Sequence, residues 1–187
     1  MDAGHQVRFI DSSRVCPLVG PRLIFVLLKR MKITLLCIGK TDDSYLIAGI
    51  DKYIKRLKFY VTFNLLVIPD IKNSKSLSAE QQKDKEAALI LKQLQPQDMV
   101  ILLDEFGKEF RSLDFSAYLE KMMVNSVQHM VFVIGGPYGF DQKVYDRANA
   151  KMSLSKMTFS HQMIRLFFTE QLYRAFTIMK GEPYHHE

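Results

Sequence analysis

The sequence predicts an α/β domain built on a mainly parallel sheet, and three observations carry that prediction. From Met31 onward, strand-like apolar runs alternate with stretches of helical spacing. The runs are apolar almost throughout, as in ITLLCIG and VFVIGG, which suits buried strands. Most of them stop at a glycine or proline: Gly39, Pro69, Gly107 and Gly135.

Taken in order, KITLLCIGK (32–40) is a buried strand ending at Gly39. The stretch 43–59 places Leu46, Ile47, Ile50, Tyr53, Ile54 and Leu57 on one helical face. VTFNLLVIPD (61–70) is the second strand. A polar segment rich in Lys and Ser follows as a loop, and then a helix runs to about Leu94 with Ser78 as its N-cap. Gln95-Pro96-Gln97 breaks that helix before the third strand, DMVILLDEFG (98–107), in which Asp104, Glu105 and Gly107 are read as a turn. Leu113 to Met123 is helical, and HMVFVIGG (129–136) is the fourth strand. Asp141 caps a short helix in QKVYDRANA, and KMSLSKMTF (151–159) has weak β character. The last element is a long helix over 161–181, closed by Gly181 just past its end. There is no internal repeat and no second domain. In such sheets ligands bind beyond the C-terminal ends of the strands, here at Gly39-Lys40, Pro69-Asp70, Leu103–Gly107, Gly135–Gly139 and Ser155–Ser160.

The 187 residues suffice for one domain with a sizeable core, and 48% hydrophobic with 25% charged residues is the balance of a soluble globular protein. The net charge of +6 is compatible with a polyanionic partner. Half of it sits in residues 1–30, where Arg8, Arg14, Arg22, Lys29 and Arg30 outweigh Asp2 and Asp11, so the remainder carries only +3. The run LIFVLL (23–28) is too short to span a bilayer. It is also followed, not preceded, by positive charge, unlike a signal peptide. We read Met31 as the natural start and 1–30 as an extended reading frame or an unstructured arm. A basic arm touching RNA is the alternative. Cys16 and Cys37 have neither disulfide-framework nor metal-ligand spacing, so a reducing cytoplasm is the expected compartment.

Gly135-Gly136-Pro137-Tyr138-Gly139 invites a phosphate-loop reading, but it lacks G-x-G-x-x-G spacing and Pro137 removes a backbone N–H. A structural turn, or bare backbone against which a flat ligand lies, remains. Adjacent Asp104 and Glu105 point in different directions and do not form a hydrolytic carboxylate pair. The final helix is apolar around most of its circumference, which suggests a subunit interface. Arg165 on it is either a ligand contact or an ion-pair partner of Glu170. His161 reads as structural. His185-His186 on the tail make a weak metal site without zinc spacing, and no metal is expected.

Five segments in this order, MKITLLCIGK, LLDEFGKEF, FVIGGPYG, LSKMTFSHQMIR and EQLYRAFTIMKGEPYH, resemble the SPOUT-class methyltransferases with an α/β trefoil knot. More closely, they resemble the bacterial family that methylates N3 of a pseudouridine in large-subunit (23S) ribosomal RNA. The resemblance covers 31–187; residues 1–30 match nothing in it. It implies a C-terminal knot, a homodimer, S-adenosylmethionine as cofactor, and action on the assembled ribosome. It assigns cofactor contacts to Leu103, Gly135, Leu154, Ser155, Lys156, Met157, Thr158 and Phe159. It places the Tyr-His tail near the partner subunit's cofactor. His185 and Tyr184 are thereby candidates for deprotonating or stabilising the target base, with Arg165 favouring its anionic form. Lys156 could serve an RNA phosphate instead. Where many relatives have proline before the helix-opening histidine, Ser160 stands here and can cap that helix. Two other readings are weighed: a ribosome-binding module without chemistry, and a nicotinamide-dependent oxidoreductase, which the missing Rossmann spacing disfavours.

Overall fold

A computed structural model describes residues 31–71 and 76–185. The expectations for residues 1–30 and His186 lie outside the described residues. Five strands form one sheet in the order β2-β1-β4-β3-β5: β1 Lys32–Ile38, β2 Thr62–Ile68, β3 Met99–Glu109, β4 His129–Ile134 and β5 Ala150–Ser153. Every neighbouring pair is parallel. The helices are α1 Ser44–Leu57, α2 Ala79–Gln93, α3 Ser112–Val124, α4 Gln142–Arg147 and α5 Met163–Met179.

The strands are apolar at consecutive positions because both faces are covered. On β1, Ile33, Leu35 and Cys37 face a core with α1, α3 and α5, while Leu36 and Ile38 face a second core with α2 and α4. On β4, Met130, Phe132 and Ile134 take the first side, and Val131 and Val133 the second. Phe132 sits against Phe168 at 4.7 Å between ring centroids, and trimming such a ring to alanine costs about 3–5 kcal/mol. Cys37 is a core residue, its thiol pushed up to about 12 by burial despite the nearby Arg165 charge.

The predicted punctuation is present. Ser78 accepts from the Gln81 N–H, and the Gln81 side chain accepts from the Ser78 N–H, closing a capping box on α2. Asp141 accepts from the Lys143 N–H at the start of α4. Gly181 has φ +67° past the end of α5.

Two expectations need correction. Asp104, Glu105 and Gly107 are not in a turn: β3 continues through them to Glu109, with an irregularity between Leu103 and Lys108 where it pairs with β5. A Cβ on Gly107 would stand 2.5 Å from the Met152 backbone, so the glycine lets the two strands close up again. Ile47, predicted on the buried face of α1, is 43% exposed. It lines a groove of about 310 Å³ with Leu65, Val67 and Pro69, because β2 is an edge strand and α1 overhangs it. Part of the apolar surface of α5 is used within the chain, while Phe167 on it is 43% exposed. Phe168, Leu172, Ala175 and Phe176 enter the core between α1 and α3.

Candidate functional site

The strand register brings the expected cofactor residues to one rim. Leu102 pairs with Val133, which sets Leu103 level with Ile134 and Gly135 one step beyond. Leu103 also pairs with Met152 of β5. After Ser153 the chain leaves this edge strand and runs without regular structure to the start of α5. The start of α5 is tied to the far end of β1: the Asp42 N–H donates to Gln162 Oε1 at 2.8 Å, and Arg165 bonds the Ile38 carbonyl. β3 and β4 lie between β5 and β1 in the sheet. The segment 154–162 therefore crosses the C-terminal ends of both strands, over Leu103 and Gly135.

That crossing segment is shaped by its serines. Ser153 Oγ donates to the Ser155 carbonyl and accepts from the Ser155 N–H, and Ser155 Oγ accepts from the Met157 N–H. Leu154 packs on the core edge, while Lys156, Met157 and Thr158 are exposed, Met157 by 76%. Phe159 lies on Phe167 at 4.9 Å. Ser160 stands two residues before Gln162, the N-cap of α5, and its Oγ accepts from the Met163 N–H at 3.1 Å.

The glycine loop is both a turn and a cradle. Gly136 and Gly139 bridge each other, with the Gly139 N–H donating to the Gly136 carbonyl at 3.2 Å. Behind Gly135 stands the Phe140 ring. Against Gly136 stands the carboxylate of Glu86, a residue that the sequence reading passed over. The available signal was its position four residues before buried Ile90 on α2, which turns both to the sheet. Asp104 is a brace, accepting from the Phe106 N–H and from the Tyr145 hydroxyl.

Arg165 is not placed as either of its two readings expected. It is fully buried. It donates to the Ile38 carbonyl at 2.6 Å, the Gly39 carbonyl at 2.9 Å, Thr41 Oγ1 at 2.9 Å and the His161 carbonyl at 3.0 Å. These bonds turn the guanidinium to the end of β1 rather than outward to a ligand. Glu170 pairs instead with Arg174, one turn on, at 2.6 Å.

Within one chain Tyr184 packs away from the rim. The contacts of Tyr184 lie on α1 and α5: its hydroxyl reaches Tyr53 and donates to Glu170 Oε1, its ring meets Tyr173 edge-on, and the Arg174 guanidinium lies over it. Burial, then the Tyr53 bond and the Glu170 charge, push its pKa upward, so the phenol holds its proton at neutral pH. Both ring nitrogens of His185 are enclosed and have no hydrogen-bond partner. An enclosed polar atom without a partner costs about 1–3 kcal/mol.

The rim holds the Gly135–Gly136 backbone, whose side-chain positions Phe140 and Glu86 fill, and the partly buried apolar Leu103 and Leu154 at the edge of the core. Among the described residues, no group of three or more His, Cys, Asp or Glu could hold a metal ion, and no helix is long and apolar enough to cross a membrane.

A family profile described as "Predicted SPOUT methyltransferase" matches residues 31–185. Among curated proteins, the chain is 59% identical over 157 residues to the ribosomal RNA large subunit methyltransferase H of Bacteroides fragilis, covering 84% of this chain and 100% of that protein. The protein of the same name from Parabacteroides distasonis is 61% identical, with the same coverage. The one from Flavobacterium johnsoniae is 59% identical, again over 84% of this chain and its own full length.

Proposed function

Because the chain belongs to the SPOUT methyltransferase family, we propose that it methylates N3 of a pseudouridine in large-subunit ribosomal RNA, using S-adenosylmethionine and acting on the assembled ribosome in the cytoplasm. The observation that carries this reading is the convergence on one rim of Leu103, Gly135 and the crossing segment Leu154–Phe159. The C-terminal knot of the family is the natural frame for that crossing.

Bound there, S-adenosylmethionine supplies an electrophilic methyl group. Gly135 offers backbone to the adenosine, Leu103 and Leu154 its apolar walls, and the groups of 155–159 its remaining contacts. The target imide nitrogen is a poor nucleophile until it loses its proton. His185 takes that proton, since both its ring nitrogens are free of protein bonds. Tyr184 keeps its own proton and, by exchanging its bond to Glu170 for one to the base, stabilises the base's anionic form. Arg165 acts through the backbone: it ties the end of β1 to the start of α5 and so sets the path of 154–162. Exposed Lys156 meets an RNA phosphate. Tyr184 of one chain packs on its own α1 and α5, away from its own rim, which supports a complete site shared by two copies in a homodimer. The modest charge outside residues 1–30 supports recognition by ribosome shape over a wide basic grip.

The test is to incubate the protein with methyl-labelled cofactor and ribosomes lacking the modification. Label in the large-subunit RNA at N3 of a pseudouridine is the expected result. Cofactor binding without label would favour a ribosome-binding module. Stabilisation by NAD but not by S-adenosylmethionine would overturn the reading.

A further inference from the structure

Helix α2 sends one carboxylate to the rim. Glu86 is 3% exposed. Its Oε1 accepts from Gln82 Nε2 at 2.8 Å, while its Oε2 is enclosed with no partner. A Cβ on Gly136 would stand 2.4 Å from Oε2 and 2.6 Å from Oε1, so the carboxylate occupies space that only glycine leaves open. It lies directly behind the loop that begins with Gly135.

An acidic group buried without a cation is costly, and such a group calls for an explanation. Burial raises its pKa; the Gln82 bond and the Gly136 N–H oppose that, and the Asp70 charge adds to it. Asp70, at the end of β2, is itself held against the rim at Gly39: a Cβ there would stand 2.5 Å from its Oδ1. Among the described residues, two cations of adjoining elements are engaged elsewhere. Lys143 on α4 is paired with Asp84 at 2.6 Å, and Arg165 is bound to the end of β1. Glu86 thus sets an acidic group, closed off from water, behind the Gly135–Gly136 loop, with the exposed Asp70 at the end of β2.

We propose that Glu86 is the counter-charge by which this site selects the sulfonium cofactor over its demethylated product. The inference rests on the function proposed above. Cofactor and product share their adenosine and amino-acid parts. They differ by one methyl group and by the positive charge that the sulfonium loses on transfer. Gly135, Leu103 and the 154–159 segment meet surfaces that both ligands share. A buried carboxylate distinguishes them by charge, and its attraction acts over several ångströms where water is excluded. The same discrimination loosens the product after transfer and leaves the rim open to the next cofactor.

Calorimetry on the full chain tests this with three ligands: S-adenosylmethionine, S-adenosylhomocysteine, and the analogue in which an amine-bearing carbon replaces the sulfonium. The wild-type protein should bind both cationic ligands at least about five-fold more tightly than the neutral thioether. Glu86→Gln should bring the three affinities within about two-fold of one another while leaving the thioether's nearly unchanged, and Glu86→Asp should keep the preference. A merely structural role would weaken all three ligands together, and that result overturns the inference. So does a wild-type protein that shows no preference for the cations, whatever the variants do, or a Glu86→Gln protein that keeps the full preference. If the wild-type protein binds none of the three, the proposed function itself fails.

Discussion

Arg165→Met separates a positioning arginine from one that touches the ligand. Methionine keeps most of the buried hydrocarbon and removes every donor. Two of the four bonds, those to the Ile38 and Gly39 carbonyls, are buried; those to Thr41 and His161 are nearer to water. A charged donor's bond contributes about 1.5–3 kcal/mol, and a buried acceptor left alone cannot recover it from solvent. Counting only the two buried bonds gives a loss of about 3–6 kcal/mol. With a slope of about 2 kcal/mol/M for a domain of this size, the urea midpoint of the cofactor-free protein should fall by about 1.5–3 M. Arg165→Lys should recover part of the loss, since an ammonium can reach one carbonyl but cannot span several. A midpoint within about 0.5 M of wild type, together with lost methyl transfer, would refute the reasoning, because it is the signature of direct ligand contact.

Further outcomes follow from the same geometry. Gly107→Ala puts a methyl group 2.5 Å from the Met152 backbone; it should part β3 from β5 and lower both Tm and cofactor affinity, and a variant with wild-type Tm would show that the strands can shift at no cost. Deleting 184–187 should spare cofactor binding and remove methyl transfer to ribosomes, at a stability cost of about 1–2 kcal/mol for the lost Tyr184 contacts; full activity in the truncated protein would exclude the tail from the chemistry. Glu86→Gln should stabilise the cofactor-free protein at neutral pH. The raised carboxyl pKa means that the folded state holds its proton more tightly, so wild-type stability is lost as pH rises through the folded pKa. The gap between variant and wild type should therefore close on acidification into the ordinary carboxylate range, and a pH-independent gap in chemical denaturation would count against an ionised, buried Glu86.

The sequence by itself determined the alternation of strands and helices, their caps and their buried runs, because these depend on local spacing. Ser78, Asp141 and Gly181 announce helix ends through their own hydrogen bonds or backbone angles. The order of its motifs also determined the family, although no periodicity in LSKMTF identifies a cofactor segment. Only the tertiary structure decided what each candidate side chain meets. Ile47 could not be assigned to an edge without the strand order, and Gly107 could not be read as a point of strand contact without its partner Met152. Arg165 looked available because a charged residue on a helix is usually solvated; it is buried because the end of β1, 126 residues earlier, presents carbonyls to it. Glu86 looked like one more charge in a polar helix until Gly136, fifty residues later, was found to leave it room. Such non-local pairings depend on how the sheet is threaded, and a carboxylate's burial and unmet charge appear only once that threading is complete.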